Sequence, residues 1–126
     1  MKKVINTQNA PKAIGPYSQA ILSNGILYTS GQIAIHPLTS ELITHNIIQE
    51  THQVMQNLQA VLKAAEMDFQ HVIKVTIFLK DMNQYAQINT VYAEYFKENP
   101  PAREAVQVSE LPKNVNVEIS LMASKS

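Results

Sequence analysis

An arginine stands just past two consecutive prolines in the segment "NPPAREAVQV" (99–108). Two prolines cannot continue a helix, and they restrict the backbone that leads into the next element. A guanidinium is a rigid fork of donors that fits a carboxylate through two parallel bonds. The stiff approach therefore suits an Arg103 that grips an anion; the plainer reading is a strand-end surface charge. Glu118 can serve as its partner or orient a water as a general base. Asn89 lies four residues after Tyr85 and three before Tyr92, inside the apolar stripe of a helix, where a buried amide must find partners. Tyr17 follows a Gly15-Pro16 turn that would fix its ring at the mouth of a hairpin, with core packing as its commoner role. Ser30 and Gly31 interrupt a bulky strand, and a strand glycine marks a bulge or a close backbone approach.

Those residues need elements to carry them. Asn24-Gly25 between two β-rich runs is a strong hairpin signal, with strands near 17–22 and 26–34. Residues 36–45 read as a turn-like stretch. Asn46 caps a first helix, with Gln49 completing a capping-box pattern, and Ile47, Val54, Leu58, Val61, Leu62 and Ala65 recur at helical spacing through residue 66. In "VIKVTIFLK" (72–80) Ile73, Val75, Ile77 and Leu79 share one strand face. Asp81 opens a second helix that the prolines end, and strands near 103–110 and 115–123 close the chain. The order β-β-α-β-α-β-β suggests an α+β domain, one mixed sheet with both helices on one face. Alternation puts Val106 and Val108 under the helices, and sets Arg103, Ala105, Gln107, Ser109, Glu118 and Ser120 on the other face. That polar face is either solvated or closed by other subunits, and the pattern alone favours solvation.

The totals bound the class. A chain of 126 residues, 45% hydrophobic and 16% charged, is one globular domain with a real core. Ten basic and ten acidic residues cancel, which makes nucleic acid an unexpected partner. The absence of cysteine excludes disulfides, thiolate nucleophiles and thiolate metal sites. The four histidines, 36, 45, 52 and 71, have no metal-ligand spacing, so no metal is expected. No phosphate-cradling or serine-elbow motif occurs. With no apolar run of spanning length and no secretory signal, the expected location is the cytoplasm, away from any membrane.

Six segments taken together resemble the Rid (YjgF) family: "IGPYSQA" (14–20), "YTSGQIAI" (28–35), "ETHQVMQNLQAVLKAAE" (50–66), "VIKVTIFLKDMNQYAQINTVYAEYF" (72–96), "PAR" (101–103) and "ELPKNVNVEISLMA" (110–123). The arginine in the "PAR" segment points to the RidA subgroup. The resemblance implies a chorismate-mutase-like fold and a homotrimer with a central barrel and sites between subunits. It thus reverses the preference for a solvated sheet face. It also implies hydrolysis of 2-imino acids, such as 2-iminobutanoate and 2-iminopropanoate, to 2-keto acids and ammonia without a cofactor. These reactive compounds are by-products of pyridoxal-phosphate enzymes. By the same resemblance Arg103 holds the substrate carboxylate and Glu118 activates water. Tyr17 closes the pocket, Asn89 lines it, and Ser30 and Gly31 supply polar and backbone contacts. Many relatives carry cysteine where this chain has Ala105, so only a backbone contact remains there, and Glu104 adds a negative charge expected to point away. Relatives also suggest a regulatory or carboxylate-binding module, or a ribonuclease and translation inhibitor, as alternatives.

Overall fold

The structure is a computed structural model, and it describes residues 1–125. Six strands form one mixed sheet: β1 (Lys2–Ile5), β2 (Ala20–Ser23), β3 (Ile26–Thr29), β4 (Val72–Leu79), β5 (Ala102–Gln107) and β6 (Val117–Ser124), in the order β1-β2-β3-β6-β4-β5. Two helices, α1 (Ile47–Ala64) and α2 (Tyr85–Ala93), cover one face. All neighbouring strands are antiparallel except β4 and β5, which are parallel and joined through α2.

Local chemistry accounts for the boundaries. Asn24 and Gly25, at φ 52° and 79°, make the two-residue turn between β2 and β3. The Asn46 side chain accepts from the N–H groups of Ile48 and Gln49 at 2.9 and 3.1 Å, so α1 starts where its cap dictates. Asp81 caps a 3-10 turn (Met82–Gln84) that leads into α2, not α2 itself, so the second helix is shorter than its apolar pattern. The core forms where Leu27, Val75, Ile77, Leu79, Val117, Ile119 and Leu121 of the sheet meet Val54, Leu58, Val61 and Leu62 of α1 and Ile88 of α2.

Several sequence expectations are corrected. The lead-in is an edge strand, β1, paired with β2. The strand from Ile26 stops at Thr29. Tyr28 pairs with Met122 but Gln32 bridges Ile119, so β3 spends one extra residue against β6. That bulge contains Ser30 and Gly31, and the Thr29 hydroxyl accepts the Leu121 N–H at 3.0 Å in place of a carbonyl. A second irregularity, between Val72 and Lys74, turns Ile73 out of the face it was expected to share with Val75; it is 45% exposed.

The largest correction concerns β5. Its register pairs Arg103 with Val75 and Ala105 with Ile77, both helix-side residues. Arg103, Ala105 and Gln107 therefore face the helices, while Glu104 and Val106 face away with Glu118 and Ser120. Val106 is 44% exposed. Glu118 is also not one strand from Arg103, because β4 lies between β5 and β6. The outer face is accordingly apolar as well as polar, with Val4, Tyr28 and Val106 exposed on it.

A buried acid holds the layers together. Glu50 of α1 is fully buried, and its carboxylate accepts from the backbone N–H of Asn116 at 2.8 Å and from its Nδ2 at 2.7 Å. Replacing Glu50 by Ala leaves two donors unpaired and should lower unfolding free energy by about 2–4 kcal/mol. Glu50→Gln should cost about 1 kcal/mol, because a flipped Asn116 amide can accept from the new Nε2 while its N–H still finds Oε1. Urea midpoints at one fixed protein concentration test this ordering.

Candidate functional site

Arg103 is held from α2. Its Nη1 donates to Asn89 Oδ1 at 2.6 Å and its Nη2 to Tyr85 Oη at 2.5 Å. The guanidinium carbon lies 4.8 Å from the ring centre of Tyr92 and 5.5 Å from that of Tyr85. Tyr85, Asn89 and Tyr92 follow one another at helical spacing, so one face of α2 forms a cage for one cation. Burial pushes the Tyr92 hydroxyl up to about 12, against the opposing pull of Arg103, and that hydroxyl has no hydrogen-bond partner among the described residues. Two of the five guanidinium N–H donors are taken and three are left. Among the described residues, Arg103 has no carboxylate partner. Glu104 does not compete for it: that carboxylate turns to the outer face and meets Lys74 Nζ at 2.9 Å.

Ala105 sits on the same edge strand. The Val108 N–H donates to the Leu79 carbonyl at 2.9 Å, toward β4. Alternation then points the Ala105 N–H at the open edge of the sheet.

Glu118 belongs to a second cluster on the outer face. A cavity of about 100 Å³ is lined by Pro11, Tyr17, Gly31, Ile33, Lys113 and Glu118, among others. Burial raises the Glu118 carboxyl above its ordinary value of 4.5. Its side chain makes no hydrogen bond or ion pair with any described residue. The carboxylate lies directly over Gly31, and a Cβ at that position would overlap it. The walls are pinned by buried amides. Gln19 Oε1 accepts from the Thr7 N–H at 2.7 Å, and Nε2 donates to the carbonyl of Pro11 at 2.8 Å. Asn57 Nδ2 donates to the carbonyls of Ile33 and Ile35 at 3.1 and 3.0 Å. The Ser30 hydroxyl donates to the Ser18 carbonyl at 2.6 Å, so it ties the Tyr17 loop to the bulge and does not face the cavity.

The expected site residues thus fall into two groups. Tyr17, Gly31 and Glu118 come together at the cavity. Arg103 and Asn89 come together on the helix side. The expectation that Arg103 and Glu118 share a face is overturned by the strand register, since the two side chains leave opposite faces of the sheet. Sequence reasoning missed Tyr85 and Tyr92 as holders of Arg103, although their spacing with Asn89 carried the signal. It also missed Gln19 and Asn57, whose backbone partners lie on loops that no sequence spacing pairs with them. Among the described residues, no group of His, Asp and Glu side chains could hold a metal ion, and no helix is long and apolar enough to cross a membrane.

The fold agrees with the comparisons. The family described as endoribonuclease L-PSP matches residues 7–125. The chain belongs to this family, also called the Rid family. A RutC family protein of Pyrococcus horikoshii is 54% identical over 99% of both chains. A human protein named 2-iminobutanoate/2-iminopropanoate deaminase is 44% identical over 98% of this chain and 90% of its own. The crystal structure of E. coli TdcF with bound serine superposes with a TM-score of 0.94 at 38% identity, covering 98% of this chain and 99% of that one.

The Gly31–Glu118 contact gives a direct test. Gly31→Ala must displace the Glu118 carboxylate toward solvent, which lowers its pKa toward 4.5. NMR titration of the Glu118 side chain in both proteins should show that fall; an unchanged midpoint would contradict the packing described.

Proposed function

We propose that this protein hydrolyses 2-imino acids to 2-keto acids and ammonia, at sites assembled between copies of the chain in a homotrimer. The observation that carries the reading is Arg103: a cation fixed by Asn89 and Tyr85, with three donors free and no carboxylate of its own. A group held this way is organised for a small external carboxylate. Assembly from several copies is supported by the opposite orientations of Arg103 and Glu118 and by the exposed apolar residues of the outer sheet face. The name of the human relative supports the reaction, and the serine bound to TdcF supports a small amino-acid-like ligand.

In this reading Arg103 of one copy and the Ala105 N–H beside it hold the substrate carboxylate. Tyr17, Gly31 and Glu118 of a neighbouring copy close on the imine carbon. That carbon is already electrophilic, so positioning and one base suffice. Glu118 takes a proton from water as the oxygen bonds to carbon, forming a carbinolamine. The nitrogen then takes up a proton and leaves as the hydroxyl oxygen gives up its own and becomes the ketone. The balance is R–C(=NH2+)–COO⁻ plus water giving R–CO–COO⁻ plus NH4+. Ribonuclease action, which the family description raises, is the less favoured reading, because ten basic and ten acidic residues leave no net positive charge to attract RNA.

A coupled assay tests the assignment. Threonine dehydratase releases 2-iminobutanoate, and added protein should speed appearance of the keto acid. Arg103→Ala should lose at least about a hundredfold in kcat/KM while keeping its oligomeric state. A full-rate Arg103→Ala protein would sink the proposal.

The pH dependence has a defined sign. The base must be ionised, so kcat/KM should rise with pH through a midpoint above 4.5, and Glu118→Gln should remove that limb. Stability should run the other way. The folded state holds the Glu118 proton more tightly than the unfolded state, so this contribution is present at low pH and is lost as pH rises through the raised value.

A further inference from the structure

The Arg103 cage contains one group that the proposed reaction does not use: the hydroxyl of Tyr85. We infer that Tyr85 is part of the carboxylate clamp, its oxygen accepting one N–H of Arg103 while its own proton is presented to the same bound carboxylate. The inference rests on the deaminase reading and adds a residue to its binding site.

Three observations lead to it. First, Tyr85 Oη accepts a hydrogen bond from Arg103 Nη2, a charge-assisted contact. A phenol can accept and donate at once, and accepting from a cation polarises its O–H toward stronger donation. Second, that O–H has no acceptor among the described residues. Tyr85 is only half-buried, so its donor sits beside the cation where a ligand can arrive. Third, the other phenol of the cage cannot take this part. The Tyr92 side chain is buried and contributes its ring face to Arg103. The two tyrosines therefore divide the work: Tyr92 stacks, and Tyr85 stacks and hydrogen-bonds.

Tyr85 is the first residue of α2 and Asn89 stands one turn later, so the guanidinium is gripped at two nitrogens by one rigid element. A carboxylate that takes two of the three remaining Arg103 donors is then within reach of a further donor from Tyr85. A substrate without that charge gains little from it.

The test uses Tyr85→Phe, which keeps the ring and its packing and deletes only the oxygen. Calorimetric binding of 2-oxobutanoate and of its neutral amide, 2-oxobutanamide, is measured for wild type and variant. Wild type should prefer the acid. In Tyr85→Phe the affinity for the acid should fall about tenfold, with less than about a twofold change for the amide. KM for the imino acid should rise by a similar factor with little change in kcat, and the fold and oligomeric state should be kept, with a small drop in thermal stability from the freed Arg103 donor. Asn89→Ala combined with Tyr85→Phe should be non-additive, because both hold the same guanidinium. An acid-to-amide ratio equal to wild type in Tyr85→Phe would overturn this inference and leave the deaminase reading standing. A wild type with no preference for the acid would overturn both.

Discussion

The grip of Glu50 on Asn116 organises much of this molecule. A fully buried carboxylate from the first turn of α1 reaches the residue just before β6 and satisfies its N–H and its amide. β6 is the strand on which the sheet hinges, since it lies between β3 and β4. The strand that follows pairs with β4 in a register that turns Val117, Ile119 and Leu121 to the helices. Glu118 comes two residues after Asn116, over Gly31. One interaction in the core therefore reaches the cavity through an ordinary strand alternation.

The two clusters treat charge in opposite ways. Arg103 is kept as a cation with its orientation determined by two hydrogen bonds and two rings. Little rotational freedom remains for a ligand to remove on binding. Glu118 has no partner, and loss of water alone shifts its proton affinity upward. In the proposed reaction an anion clamp benefits from permanence, whereas a base that must exchange protons benefits from a pKa nearer neutrality. The different surroundings suit those different demands.

Much of this was legible in the sequence where short-range chemistry decides. The Asn24-Gly25 turn, the Asn46 cap and the alternation of β6 all have local causes. The outcome at β5 was not local. Val106 and Val108 suggested an inward face, but the partner strand and α2 decided it, since Arg103 had aromatic and amide partners on the helix side. Ile73 was misplaced by a bulge that its strand pattern does not reveal. Glu50 carries no such local signal, because nothing within its own helix announces Asn116, 66 positions away. The glycine at 31 did give fair warning of a close approach, although not of the side chain that makes it.

The opposite orientations of Arg103 and Glu118 separate two equilibria that coincide in a single-chain enzyme. Folding of one copy makes a cage and a cavity, but on either side of the same sheet. If the two meet only across subunits, a folded monomer is chemically silent, and turnover follows the law of mass action for assembly. Dilution then acts as a reversible off-switch that leaves every chain intact. Specific activity becomes a property of concentration, and a surface substitution far from Arg103 can abolish it without touching either cluster.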